Sequence, residues 1–528
     1  MQIRFALIAS VLVLALSGCG KEEPATPLSL VPESAIVSVV VTEPVAAVRN
    51  IDSYIAAGAP FLGAGIVEGE AAKLLELENL DSLGAVGLDP AGSIVFWMES
   101  MMPQSMVMAV SITDFPSFLA LLGRLGLTFE PGQPLDKLDV FQAPSDNGTI
   151  YAAQSRGVAL LSMNRAKLGE LADALSPEAA VEVAPGSVFA SFNIAMIGPM
   201  AASQIPMIAQ SAASDPEMPP FAANIMDLYF DAAVVFLNQT QRCDITLAFG
   251  PEEIVVDQVV VFKEGSDLAR LVVTPETPSL LDRIPAGQVL TAQVRLPGEL
   301  AGIVMNSVYQ AMGIEMDPAV VDIWTEMSGC AAMSFFNEGF MSFMAVYNLP
   351  EGSDLQGMTA MISDMTARAM AVMPPEMIGM VAFSPCAEAE VQGVPMMTNS
   401  FTVFVPGADG AVDTLAFNYW YAVLDDLFLV EVGDEPSGIL QAAAGGFSPA
   451  SEMPGLNPDA MGTYAMEIGG YLGMIRQLSP EDISLPETIP TLWVTGEMTA
   501  GNGIFRSTAT IPGAELVTFA ATLATWQQ

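Results

Sequence analysis

The chain has 528 residues, 52% of them apolar and 15% charged, a composition that supports large folded cores and argues against disorder. Its 60 acidic residues stand against 17 basic ones, and the net charge of −43 repels nucleic acid and anionic lipid headgroups alike. There is no histidine, which excludes Ser-His-Asp and Cys-His nucleophilic sites, histidine acid–base chemistry and the usual catalytic zinc sets.

At the N-terminus, Arg4 precedes an apolar run, Phe5–Leu16, that suits the core of a signal peptide and is too short to span a bilayer. Leu16-Ser17-Gly18-Cys19 closes that run and resembles the lipobox of bacterial lipoproteins. The resemblance implies cleavage before Cys19, acylation of Cys19 and anchoring in the bacterial cell envelope. By the sorting rule of that family, Gly20 in place of Asp favours the outer membrane, facing the periplasm or alternatively the outer surface. Residues 1–18 are then the signal peptide and residues 19–28 a polar, Pro-containing tether with no reason to fold. Such a tether keeps the body within about 30 Å of the membrane, at roughly 3.3–3.6 Å per extended residue. The lipid on Cys19 is the expected membrane contact, because later apolar stretches such as Ser187–Ala213 and Met358–Phe383 are interrupted by Pro, Asp, Arg or Gln.

Beyond the tether the chain repeats its pattern. Val31–Val41 (VPESAIVSVVV) aligns with Ile284–Val294 (IPAGQVLTAQV), a proline, a short turn and a β-branched strand. The pattern recurs at Ala184–Phe192 and from Pro458 to Met466. Gly92–Val110 parallels Gly329–Val346, two strands with a tight connection. Val140–Pro144 with Asp146-Asn147-Gly148 parallels Val403–Pro406 with Ala408-Asp409-Gly410. Val158–Leu175 parallels Leu427–Ala444, a strand followed by a helix, and Val255–Phe262 parallels Gly503–Ile511. Two tandem repeats are expected, 29–274 and 275–528, joined by the Pro- and Thr-containing segment Val273–Pro278.

Within each repeat, strands such as Ile94–Met98, Met106–Ile112, Ala232–Leu237 and Ile254–Phe262 come in neighbouring pairs, which predicts antiparallel pairing. Phe115, Phe118, Leu119 and Leu122 recur at helical spacing behind Thr113 or Asp114 as cap, with Pro116 in the first turn. The expected fold class is α+β: a wide, mainly antiparallel sheet per repeat with helices packed on one face. The arrangement resembles a class of bacterial envelope proteins of unknown function, in which a signal peptide precedes a proline-led strand. That resemblance implies fold and location, and no activity.

No catalytic residue is expected. Gly-x-Ser-x-Gly, Walker A and strand–helix Gly-x-Gly-x-x-Gly patterns are missing from the sequence, and adjacent pairs such as Asp425-Asp426 point to opposite sides of an extended chain. The chain is therefore read as a non-enzymatic scaffold or interaction lipoprotein with no cofactor. An envelope partner or an apolar ligand is its expected counterpart. Flexible Met and Phe side chains suit an apolar groove, and they fill an ordinary core equally well. A third reading is a Cu(I) site of thioethers, since Met98, Met101, Met102, Met106 and Met108 crowd one stretch. Met residues are spread over the whole chain, 33 in all, which core packing explains more simply. Among the cysteines of the body, Cys330 and Cys386 fall in the same repeat and are candidates for a disulfide. The alternative is that Cys243, Cys330 and Cys386 are three separate buried thiols.

Overall fold

The computed structural model describes residues 25–526 apart from 64, 180, 214–219, 275, 312–317, 337–341, 373–378, 407–411 and 479–488. Cys19 and the signal peptide lie outside the described residues. The chain divides into two compact units. The first takes the residues up to Gly198 with Thr240–Val260 and Thr510–Ala524; the second takes Pro199–Gln239 and Val261–Ala509, with the last residues from Thr525.

The first unit carries β1 (Val37–Thr42), β2 (Ser93–Met98), β3 (Met106–Ser111), β4 (Glu130–Pro131) and β5 (Val140–Ser145). It continues with β6 (Gly148–Ser155), β7 (Val158–Ser162), β8 (Ser187–Phe192), β9 (Thr240–Phe249) and β10 (Glu253–Phe262), which pairs with β9. From β4 the spatial order runs β4-β5-β6-β7-β3-β2-β1-β8-β9, antiparallel at every step.

The second unit carries β11 (Leu290–Arg295), β12 (Cys330–Phe335), β13 (Phe343–Asn348), β14 (Val381–Phe383) and β15 (Ala387–Val391). It continues with β16 (Val394–Pro406), β17 (Val412–Leu424), β18 (Leu427–Val432), β19 (Gly462–Glu467) and β20 (Trp493–Gly501). Here the order is β15-β16-β17-β18-β13-β12-β11-β19-β20, again antiparallel, with β14 also paired to β16. The fold is thus α+β on wide antiparallel sheet, and the pairing order met in the first unit is met again in the second.

Two expectations need correction. Ala232–Leu237 is part of the helix Pro220–Gln239 and forms no strand. Its short apolar run has no turn signal on either side, and Asp227 and Asp231 ahead of it are spaced one helical turn apart. The helices also cover both faces of each sheet instead of one. In the first unit, Val41, Ile94, Met108, Val110, Ala159 and Leu161 pack with Phe115, Phe118, Leu121 and Leu122 of the helix Phe115–Arg124. Their strand neighbours Val40, Val95, Trp97, Val107, Val158 and Leu160 face the other way, onto Leu168, Leu171 and Ala172 of the helix Arg165–Ala174. The second unit divides likewise, Leu427 and Leu429 packing with Ile439 while Phe428 packs with Met358. Runs such as Ile94-Val95-Phe96-Trp97, apolar without alternation, are what strands buried on both faces look like.

Local chemistry fixes the helix that closes one end of the first core. Asp114 caps it, its Oδ2 accepting from Ser117 N–H at 2.9 Å, and hydrogen bonding from Ser117 holds this carboxyl below its ordinary pKa. Gly87 lies against that cap at φ +80°, where a Cβ would collide with the Asp114 carbonyl and the Phe118 N–H. Gly87→Ala is expected to lower the stability of the first unit by about 2–4 kcal/mol, combining left-handed strain with overpacking. The shift of its urea midpoint checks this.

Candidate functional site

A cavity of about 390 Å³ lies in the first unit, where β2, β3 and β7 end beside the hairpin of β5 and β6. Strand register builds its wall. Met98 sits opposite Met106 and Phe96 opposite Met108, and Met108 in turn lies opposite Leu161 of β7. Leu161 is paired with Ala152 of β6, two residues beyond Ile150. Because side chains alternate along a strand, these residues share the face that carries Ile94 and Val110. The cavity is therefore the uncovered continuation of the core beneath Phe115 and Phe118.

Met163, just past β7, and Met101 and Pro103 of the β2–β3 connection complete the apolar lining. Ser145, Asn147 and Ser162 are its polar members. Both hydroxyls are committed as donors, Ser145 Oγ to the Gly148 carbonyl at 2.9 Å and Ser162 Oγ to the Met106 carbonyl at 3.3 Å, and Ser162 Oγ also accepts from Asn164 N–H at 3.0 Å. Asn147 is exposed at the tip of the hairpin.

The β2–β3 connection is tied to itself. Ser105 Oγ lies 2.7 Å from the Ser100 carbonyl and 2.8 Å from that of Met102, and accepts from Ser100 N–H at 3.0 Å. This knot divides the methionines that the sequence groups together. Met98, Met101, Met106 and Met108 line the cavity, whereas Met102 lines a second recess of about 230 Å³ with Glu99, Gln104, Asn164 and Lys167. Met101 and Met102 are 61% and 65% exposed, while Met108 is buried at 5%. In the second recess Lys167 Nζ is 3.0 Å from Glu99 and 3.3 Å from Glu170. Burial works against the ammonium charge, and the bonds to these two carboxylates outweigh it, so its pKa is raised.

The sequence reading missed the cavity's far wall. Ile150, Leu161 and Met163 come from β6 and β7, roughly half a hundred residues downstream of β2, and only the β3–β7 pairing brings them in. The one available signal was Leu160-Leu161-Ser162-Met163, an apolar strand end that runs past its last polar neighbour.

Cys330 and Cys386 both stand as free thiols, on opposite faces of the second unit's sheet. Cys330 Sγ donates to the Pro278 carbonyl at 3.3 Å, and Cys386 Sγ accepts from Ser363 Oγ at 3.3 Å. Cys243 is also a free thiol. Burial pushes the Cys330 thiol from 9.0 up to about 11, against the opposing pull of Arg295. The folded state thus favours the neutral thiol. Its contribution to stability is full below the unfolded pKa and is lost as the pH climbs towards the folded one. Between about pH 9 and 11 roughly 2–3 kcal/mol should be lost through this group, and Cys330→Ala should flatten that part of the pH–stability curve. Urea unfolding of both proteins across that range checks it.

Among the described residues, no helix is long and apolar enough to cross a membrane. No protein-family model matches the chain, and no curated protein does. Crystal structures of the Treponema protein TP0453 are similar in part. Its crystal form IV matches at 10% identity over 45% of this chain and 81% of that one, with a TM-score of 0.25. Crystal form III matches at 11% identity over 47% of this chain and 98% of that one, with a TM-score of 0.20. Scores of this size carry neither fold nor function across.

Proposed function

We propose that this chain is a non-catalytic, lipid-anchored lipoprotein of the bacterial envelope that binds an apolar molecule in the cavity of its first unit. The observation that carries the binding reading is the cavity itself: a preformed hollow walled by Phe96, Leu161 and five thioethers, with few polar groups. The anchor rests on Leu16-Ser17-Gly18-Cys19 and its placement behind Arg4 and the apolar run. An outer-membrane, periplasm-facing location follows from Gly20. The matching strand orders of the two units support an internal duplication in which the first copy holds the ligand.

The test uses the full chain with Cys19→Ser, which prevents acylation, purified without detergent. Native mass spectrometry followed by organic extraction should find a co-purified apolar species at one per chain. Leu161→Arg, which places a charged side chain in the cavity wall, should remove it. A clean apo mass, together with no binding of the neutral dye N-phenylnaphthylamine, overturns the reading and leaves a scaffold that works through protein contacts. The anchor is checked separately, by loss of labelled fatty acid and of membrane fractionation in the same Cys19→Ser chain.

A second reading, a Cu(I) site, is favoured by one observation: Met98, Met101, Met106 and Met163 converge on the same hollow. Cu(I) titration against a chelating competitor decides it, and replacing those four residues together by Leu should abolish any affinity found.

A further inference from the structure

The lining of this cavity also restricts what kind of apolar molecule enters. No ionisable side chain lines it, and its polar members are two serines and one asparagine. The Ser145 proton is spent on the Gly148 carbonyl, which leaves its oxygen as an acceptor, whereas Ser162, buried at 3%, is already engaged with the Met106 carbonyl and the Asn164 N–H. Asn147, exposed at the hairpin tip, adds an amide that both donates and accepts. The matching head group is one that donates a hydrogen bond and carries no charge.

Charge points the same way. A carboxylate brought here would find no cation among the lining residues to pair with. The nearest ammonium, that of Lys167, belongs to the neighbouring recess and is already bridged to Glu99 and Glu170. The chain's charge of −43 further opposes anions. A cationic head would be drawn by that field but would find no carboxylate in the lining. At about 390 Å³ the hollow falls at the small end of ligand sites, room for one alkyl chain and not for a two-chain lipid.

We propose that the ligand class is an uncharged, single-chain amphiphile ending in a hydroxyl group, its tail against the methionines and its head at Ser145 and Asn147. This rests on the reading of the cavity as a ligand site. It is tested on the full chain with Cys19→Ser by displacement of N-phenylnaphthylamine with decanol, decanoate and decyltrimethylammonium, at about pH 8, where the carboxyl is ionised. Decanol should displace the dye at least about tenfold more effectively than decanoate, with the cation between them. Asn147→Lys, an exposed change that supplies the missing cation, should narrow the gap between decanol and decanoate by about tenfold. Decanoate binding as well as decanol to the unmodified cavity, or an unchanged gap in Asn147→Lys, overturns the assignment of head group while leaving an apolar site in place. Failure of the dye and of all three amphiphiles to bind overturns the cavity reading itself, and this class with it.

Discussion

Glu431→Ala should destabilise the second unit by about 3 kcal/mol, because it strips the acceptors from two buried backbone donors at once. Glu431 is fully buried at the end of β18. Its Oε1 accepts from Gly438 N–H at 2.8 Å and its Oε2 from Ile439 N–H at 2.7 Å, the first turn of the helix Ser437–Ala444. That helix has Pro436 at its cap position, which offers no side-chain acceptor. The carboxylate thus stands in for a capping residue from the preceding strand, where the helix dipole also favours its charge. Gly438 permits the approach, since a Cβ there would press on Met344 and on the carboxylate. Glu431→Gln keeps one good acceptor and should cost about half as much. Guanidinium unfolding of the two variants, with the loss graded Ala over Gln, is the check; equal losses would mean that the side chain serves by volume alone.

Arg295→Met should cost a similar amount, about 3–4 kcal/mol, by leaving several carbonyls unmatched in a site the methionine chain still fills. Arg295, only 8% exposed, ends β11. Its Nε donates to the Thr277 carbonyl at 2.7 Å, Nη2 also reaches that carbonyl, and Nη1 donates to Pro458 at 3.1 Å. One planar group therefore ties the chain ahead of β11 to the turn ahead of β19. Lysine, with a single ammonium, should restore only part of the loss. If Arg295→Met unfolds at the same urea concentration as the parent chain, the carbonyls find other donors and the clamp is not structural.

Much of this fold can be read from residues alone. Gly92–Val110 and Gly329–Val346 fall on the β2–β3 and β12–β13 pairs, and Asp114 caps its helix as Pro116 and the apolar spacing imply. Those are local matters, set by turn chemistry and periodicity. What escapes the sequence is long-range. Apolar Val40 beside apolar Val41 shows that both sides of a strand are buried, but not which helix covers each. The methionines of residues 98–108 are conspicuous as a group, yet alternation and the Ser100–Ser105 knot send Met102 to one recess and Met106 to another. Leu161 and Met163 join the cavity only because β7 pairs with β3, a choice made by the whole sheet. Nothing in the sequence around Glu431 or Arg295 marks their burial.

The position of β1 has a mechanical consequence. The first strand of the chain is not an edge: it is laddered on one side to β2, Val37 opposite Met98, and on the other to β8, Val37 opposite Phe192. Ahead of it, Thr26 N–H is pinned to the Ser176 carbonyl at 3.0 Å. Tension applied through the segment ahead of β1 would first meet that pin and then a strand held from both sides. The body would have to lose two ladders together before the strand could be drawn out, a firmer mooring than a peripheral strand peeled away one bond at a time.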